Sequence, residues 1–550
     1  MALSSRRSIR RIIALGLLTN LFSCHLRVGQ LHAAERVEFH FEDVTIPISI
    51  KELSDWSKDV ESKMDSGESD SDMNSELAVW LNMLGFESRF ALSQSLQAPL
   101  VKDKSMARQL LRSWVGRKLL DEVSDVVRLD EDSSGTKVFN TLESLLEDQE
   151  KVSALDLLKS LPAEVIHFDL NAWVQVVSSW KDELKGQQKL LTDLRRLSLE
   201  TNDAFKAKES DIEEGKSLNE LKESIYEVVK LNVPHRTEAL NVEVWNPLAR
   251  DEPRKSWIVF MPGLGGDQLH FRWLARSLSH QGWPVVVLDH PGSDSKALNS
   301  LVDGSLPAPS GAEVFPYRLS DLRAVLLARE KELFTVPGEK VVLMGHSLGA
   351  LTAFLASGNL PQTGLLERCK NALDDFSITN LSRLLQCQLV DVPLPTFSEI
   401  TQLEAIVGIN SFGSLLWPDP STLKLNVPVF LTGGTFDLIT PALSEQLGLL
   451  LSTKPNPFSR VLVIEGASHF SPIRVKNQTD HSKGEDLFQL GEALVGTYPL
   501  SVQGLLASQI IRYLDQLEDG KPLPTLENTT NMNLKFHILD HSTTRKVIGN

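Results

Sequence analysis

One pentapeptide restricts the fold of this chain more than any other feature. Gly345-His346-Ser347-Leu348-Gly349 follows an apolar run, Val341 to Met344, and leads into the small-residue, helix-like stretch Ala350 to Ala356. A serine on a sharp strand-to-helix turn projects its hydroxyl above a sheet edge, and glycines on both sides relieve the crowding that such a turn imposes. The pentapeptide alone is a weak signal. Its flanks make it a candidate nucleophile elbow, because the buried strand and the helix that the motif requires are both legible.

Two partners follow in order. Asn426 to Leu431 reads as a buried strand that opens into Thr432-Gly433-Gly434-Thr435-Phe436-Asp437, where a carboxylate can orient an imidazole. Arg460 to Ile464 reads as another strand, followed by Glu465-Gly466-Ala467-Ser468-His469. The expected set is Ser347 as nucleophile, His469 as base and Asp437 as its orienter, in the chain order Ser, Asp, His. Glu465 is a poor substitute for Asp437, since it stands one residue past its strand. Asp480 and His481 lie in a polar stretch and are weaker candidates than His469. Trp257 to Met261 reads as a strand leading into Pro262-Gly263-Leu264-Gly265-Gly266, and the backbone N–H groups of Leu264 and Leu348 are the expected oxyanion donors. Proline at 262 removes one N–H from that loop. His346 is expected to line the pocket, and His290, at a strand's carboxyl end, is a weaker substrate-side candidate.

The stretch from about Val242 to Gln516 resembles the α/β-hydrolase superfamily. Within it, Phe260 to Gly266, Leu288-Asp289-His290-Pro291-Gly292-Ser293 and Tyr317-Arg318-Leu319-Ser320-Asp321-Leu322 are similar to the branch holding plasma-type platelet-activating-factor acetylhydrolases and predicted dienelactone hydrolases. That resemblance implies ester or lactone hydrolysis. True dienelactone hydrolases use a cysteine nucleophile, so their specific activity does not carry over to Ser347. Residues 35 to about 200, opening Ala34-Glu35-Arg36-Val37-Glu38-Phe39, more loosely resemble an uncharacterised helical module that precedes exported bacterial hydrolases.

The fold expected is an α/β doubly wound, mostly parallel sheet with a helical cap insertion, preceded by a mainly α-helical domain. Residues 221–525 form the expected catalytic domain, with strands at 240–245, 256–261 and 284–289, helices at 271–280 and 320–334, and a last helix at 505–517. The cap is expected at about 358–403, where the strand and helix alternation breaks. Residues 526–550 form a tail in which only Leu534 to Leu539 suggests a strand. The domain at 35–220 opens with an expected hairpin, Val37, Phe39, Phe41 and then Val44, Ile46, Ile48 around Glu42-Asp43. Helical stripes follow, Leu77 to Leu84, Leu110 to Val126, and Leu155, Leu158, Leu161, and suggest an amphipathic bundle. Trp173, Val176, Val177 and Trp180 form either core or a docking face, and the polar segment 206–219 marks the boundary.

Residues 1–34 read as a signal peptide. Arg6, Arg7, Arg10 and Arg11 precede an apolar run, Ile12 to Phe22, that is too short and interrupted to span a bilayer. A twin-arginine variant and lipidation at Cys24 are alternatives to ordinary secretion. Cys369 and Cys387, the pair left after cleavage, are a candidate disulfide in an oxidising compartment. No His-Glu-x-x-His or Cys-x-x-Cys occurs, so no metal site is expected, and no cofactor is implied. A net charge of −16 argues against nucleic acid as a partner. The expected partner is a small-molecule or lipid ester. The expectation is therefore a secreted or periplasmic serine hydrolase of carboxylic esters, with a thioesterase, a lactonase or a non-catalytic envelope binding protein as alternatives.

Overall fold

The computed structural model describes residues 34–41, 44–66, 93, 96–97, 99–101, 124, 126–129, 135–149, 152–172, 186, 188–197, 226–247, 253–297, 314–374, 380–395, 397, 400–418, 422–474 and 498–549. They divide into two compact units, residues 1–174 and 175–550. The expected boundary at 220/221 falls inside the second unit. Residues 188–197 are helical there, and Arg195 forms a two-pronged ion pair with Glu465. The signal peptide, the polar segment 206–219, most of the stripes at 77–84 and 110–126, the Trp173 to Trp180 face, and Asp480 and His481 lie outside the described residues.

In the first unit, β1 (Arg36–Phe41) and β2 (Val44–Ser49) pair antiparallel with Phe41 opposite Val44, which is the expected hairpin. There follow α1 (Ile50–Ser66), β3 (Pro99–Val101), β4 (Val127–Leu129), α2 (Thr136–Asp148), β5 (Val152–Ser153), α3 (Ala154–Ser160) and β6 (Val165–Asp169). To the expected helices the described residues add a four-stranded mixed sheet, β2-β1-β6-β4, while the stripes at 77–84 and most of 110–126 lie outside them. Val37, Ile50, Leu129, Val138, Leu161 and Ile166 form its apolar core. Strands β4 and β6 carry little local signal because they are short, and β6 is completed only by its parallel partner β1, far away in the chain. Helix α3 starts where a capping box predicts, with Ser153 and Asp156 satisfying each other's backbone N–H groups.

The second unit runs β7 (Tyr226–Leu231), β8 (Leu240–Trp245), β9 (Ser256–Met261), α4 (Gln268–His280), β10 (Val285–Leu288), α5 (Phe315–Glu330), β11 (Lys340–His346), α6 (Leu348–Ala356), α7 (Leu365–Asp374), α8 (Ser382–Gln388), β12 (Leu403–Ile409), β13 (Val429–Gly434), α9 (Gly448–Ser452), β14 (Arg460–Ile464), α10 (Pro499–Glu518), β15 (Leu526–Asn531), β16 (Leu534–Leu539) and α11 (His541–Gly549). The sheet order is β15-β16-β14-β13-β12-β11-β9-β10-β8-β7. The run from β14 to β10 is parallel, and antiparallel strands flank it. Every residue of β9, β10, β13 and β14 is buried. A parallel sheet covered on both faces needs that continuous apolarity, which is why these strands do not alternate. Ile258 and Phe260 pack with Phe271, Leu274 and Leu278 of α4 and with Leu505, Leu506 and Ile510 of α10.

The chain passes from β9 to β10 on one side and then returns to lay β11 on the other side of β9. That reversal opens a crevice beyond the carboxyl ends of β9 and β11, the place where such sheets bind ligands.

Two expectations are corrected. The tail is part of the sheet: β15 and β16 form a hairpin on β14, with Asn531 opposite Leu534 and Met532 and Asn533 both at positive φ, and α11 follows. The helix expected to be last is α10, and it precedes this hairpin. A two-residue turn of that hand usually carries glycine, so Met532-Asn533 gave little turn signal. The polar strand β15, Leu-Glu-Asn-Thr-Thr-Asn, forms the sheet edge, and its polarity discourages pairing with other chains.

The insertion expected as a cap forms α7 and α8, joined by a Cys369–Cys387 disulfide whose Cα atoms are 5.5 Å apart. Ser382 N donates to Ile439 O at 2.9 Å, and the Leu415 N–H donates to Gln386 Oε1 at 2.8 Å. The insertion is therefore tied to the loops that leave β13 and β12, at the crevice end of the sheet. Buried Glu445 fastens it further, accepting from Asn380 Nδ2 at 2.7 Å, Gly413 N at 2.9 Å and Ser414 Oγ at 2.7 Å.

Candidate active site

Ser347 lies between β11 and α6 with φ 52° and ψ −116°, a conformation that an L-residue adopts only when its surroundings enforce it. The two glycines of the pentapeptide show what enforces it. A Cβ on Gly345 would fall 2.3 Å from the Gly349 carbonyl carbon, and one on Gly349 would fall 1.9 Å from the Met261 oxygen. Helix α6 thus begins directly against the end of β9, and only glycine fits at either position. The Ser347 N–H is fixed by Ile409 O at 2.8 Å.

His469, five residues past β14, places Nε2 3.0 Å from Ser347 Oγ and Nδ1 3.0 Å from Asp437 Oδ2. The separation along the chain is 122 and 32 residues, so the sheet brings all three expected residues together. Asp437 is buried, yet its oxygens are fully engaged. Oδ1 accepts from Ile439 N at 2.9 Å and Thr440 N at 2.7 Å, and Oδ2 accepts from Asn410 Nδ2 at 2.7 Å and Thr440 Oγ1 at 2.6 Å. Burial pushes the carboxyl pKa up, but the His469 charge and the hydrogen bonds from His469 and Thr440 outweigh it and hold it below its ordinary value. Asp437 is thus an anion facing the imidazole, and its surroundings orient it. Asn410 and Thr440 are supports that no local sequence pattern announces.

The loop after β9 passes beside the nucleophile: a Cβ on Gly263 would lie 3.1 Å from Ser347 Cβ. Gly265 N donates to Ser293 O at 2.8 Å and Gly266 N to Gly263 O at 3.3 Å, so the expected donor, Leu264, precedes two amides that are already engaged. Leu348 is the first residue of α6, where helical N–H groups have no partner within the helix. Pro262 acts here through its carbonyl, which accepts from the buried Arg318 guanidinium.

Arg318 belongs to a polar cluster that holds the loops leaving β9 and β10. Its Nη1 donates to Ser293 Oγ at 2.7 Å and its Nε to Thr352 Oγ1 at 3.3 Å. Burial pulls its pKa down to about 9, still above neutral, so it is a cation here. Asp321, one helical turn on, accepts from His290 Nδ1 at 2.9 Å, His235 Nε2 at 2.7 Å and Arg236 Nη2 at 2.6 Å. Burial alone would raise the Asp321 pKa, but the His290 and Arg236 contacts lower it well below the usual carboxylate range. His290 is 1% exposed, and burial and the Arg318 charge bring its pKa down to about 4, so the neutral ring braces this cluster. The expected substrate-side placement of His290 is corrected accordingly.

His346 also differs from expectation. Its Nε2 donates to the His469 carbonyl at 3.0 Å, and its ring packs between Phe271 and His469, with centroids 5.4 and 5.0 Å away. Burial, then the His469 charge, pulls its pKa down to about 3, so the ring is a neutral spacer that positions the base loop. Glu465 is engaged away from Asp437, with Arg195 at 3.0 Å and with His537 Nε2 of β16 at 2.9 Å. The unexpected C-terminal hairpin therefore steadies the segment that leads to His469.

Residues 256–363, from β9 past the elbow, match the family described as alpha/beta hydrolase fold. Residues 33–169, in the first unit, match a family described as alpha/beta hydrolase of unknown function (DUF1400). No curated protein matches the chain. The mostly parallel sheet and these matches agree on an α/β-hydrolase fold.

Proposed function

We propose that this α/β-hydrolase-fold chain is an exported serine hydrolase that cleaves carboxylic esters through an acyl-enzyme on Ser347. One observation carries the reading: Ser347 Oγ, His469 and Asp437 form a continuous relay, with 3.0 Å at each step, on a strained elbow at the topological switch point. In the first half-reaction Ser347 Oγ attacks the acyl carbon while His469 Nε2 takes its proton. The imidazolium is stabilised by Asp437 through Nδ1–H. The oxyanion that forms is received by the N–H groups of Leu348 and Leu264. The tetrahedral intermediate collapses as His469 returns the proton to the departing alcohol oxygen. Water, deprotonated by His469, then attacks the acyl-enzyme, and the acid leaves as Ser347 regains its proton.

Esters are favoured over thioesters because the loop sequences at 260–266, 288–293 and 317–322 are similar to an ester-cleaving branch of the superfamily. A lactone is an internal ester and is open to the same attack. The intact relay speaks against a non-catalytic binding protein, in which no pressure would keep Asp437 hydrogen-bonded on both oxygens. Export is supported by the basic-then-apolar start of the chain and by the Cys369–Cys387 disulfide.

The test is a panel of nitrophenyl esters, matched thioesters and lactones given to purified protein. Ester turnover that is lost in Ser347→Ala supports the reading. Turnover confined to thioesters would replace the substrate class, and no turnover of any acyl compound would remove the enzymatic reading.

A further inference from the structure

In the first unit, far from any residue of the relay in sequence, two strands bring together three metal-ligating groups. Alternation along β1 sends Val37 and Phe39 into the core and Glu38 and His40 to the other face. Strand β6 does the same with Ile166 and Phe168 against His167. The parallel register sets Glu38 opposite His167. His40 Nε2 lies 3.0 Å from His167 Nδ1, and Glu38 Oε2 lies 3.6 Å from His167 Nδ1 and 4.0 Å from His40 Nε2.

We infer that Glu38, His40 and His167 form a binding site for a borderline divalent metal ion of the zinc type. The triangle of donor atoms has the size the metal needs. A point about 2.1 Å from all three atoms exists in the plane they define, matching Zn–N and Zn–O bonds of about 2.0–2.2 Å, and drawing Glu38 Oε2 in toward the histidines, to the roughly 3.3 Å ligand spacing of tetrahedral zinc, lifts the metal out of that plane to take a fourth ligand. Two imidazoles and one carboxylate suit zinc, cobalt, nickel or copper rather than magnesium or calcium, which take oxygen donors.

The surroundings agree. Thr45 Oγ1 lies 3.1 Å from His40 Nδ1, a contact that steers the other ring nitrogen toward the metal position. Arg36 Nε holds the far carboxylate oxygen, Glu38 Oε1, at 3.0 Å, which leaves Oε2 turned to the histidines. Arg128, opposite His167 on β4, is turned aside to Asp169 at 2.8 Å, so that contact keeps its charge off the donors. The side chains of His40 and His167 are each about a third exposed, so the site is open to solvent on its fourth side. Binding replaces the hydrogen bond between the two rings, and its shared proton moves to the outer nitrogen of one ring. No spacing motif announces the site, because His40 and His167 stand 127 residues apart.

The test uses the untagged full chain, stripped with chelator and dialysed against Zn²⁺, with bound metal quantified. One zinc ion per chain at micromolar free metal is expected, with at least a tenfold loss of affinity in His40→Ala and in His167→Ala and a smaller loss in Thr45→Val. Co²⁺ should give the visible absorption of a four-coordinate site in the wild type and in Thr45→Val, and in neither histidine variant. Thermal melting without metal should be the same in all four proteins, and zinc should raise the wild-type Tm alone among wild type, His40→Ala and His167→Ala. No zinc on the wild type, or equal zinc on the histidine variants, overturns the assignment.

Discussion

His346 donates its Nε2–H to the carbonyl of His469, so the residue before the nucleophile sets the height of the loop that carries the base. Replacing His346 by Phe keeps a ring between Phe271 and His469 but removes the donor. One hydrogen bond of about 1 kcal/mol is lost, enough to loosen the base by a factor of about 5–10. We expect kcat on a short nitrophenyl ester to fall about tenfold with KM unchanged, and the fluorophosphonate labelling rate to fall in parallel. An unchanged kcat would show that the base loop holds itself.

Arg318 should matter through the Pro262 carbonyl that it holds. Lysine keeps the charge but loses the planar fork that reaches Pro262, Ser293 and Thr352 together. Arg318→Lys is expected to lower stability by about 2–4 kcal/mol, since buried acceptors lose their donor. In protein that remains folded at low temperature, kcat should fall at least tenfold, because the loop with Leu264 is no longer fixed. Denaturant melts and steady-state kinetics at about 10 °C, a temperature near the usual stability maximum, check both. Full kcat in folded Arg318→Lys would detach this cluster from the oxyanion loop.

Asp289 gives a pH signature. Burial raises its pKa from 3.8 to about 7, helped by Asp267, Asp294 and Glu243 and opposed by the Gln268 N–H. The unfolded carboxyl gives up its proton near its ordinary value, the folded one near neutrality. Between those values unfolding releases a proton, so stability falls as pH rises and levels off above the folded pKa. An asparagine in place of Asp289 would remain neutral and keep an acceptor for the Gln268 N–H. Asp289→Asn should therefore gain on the wild type by about 1–3 kcal/mol between about pH 4 and pH 8, as read from urea melts. A stability difference that does not change with pH would contradict the raised pKa.

The relay was legible because each member sits at the end of an apolar strand, where a few neighbouring residues state both the strand and the turn. Ser347 carries its glycines, Asp437 follows a buried run, and His469 follows another. The roles of Arg318, Asp321 and His346 were not legible, since their partners Pro262, His290 and His469 come from other strands and a buried polar group shows its meaning only with its acceptor in place. The same applies to the first unit, where β6 exists through its pairing with β1, and to the C-terminal hairpin, whose Met532-Asn533 turn lacks glycine. Local pattern identified elements with their own periodicity, and long-range pairing decided the rest.

The disulfide closes a short loop, with 18 residues of separation. In protein lacking residues 1–34, thiol titration of denatured, unreduced chain should find no free thiol. Cys387→Ser should cost about 3 kcal/mol, the usual effect of opening a loop of this length. Two reactive thiols per chain would place the protein in a reducing compartment and count against export.

The most direct test of the relay is active-site labelling by a fluorophosphonate, followed by mass spectrometry of the modified peptide. The probe should attach once per chain, at Ser347, and labelling should vanish in Ser347→Ala and slow by at least a thousandfold in His469→Ala, with unchanged folding in both. Labelling that persists in Ser347→Ala, or that proceeds at the wild-type rate without His469, would contradict the account.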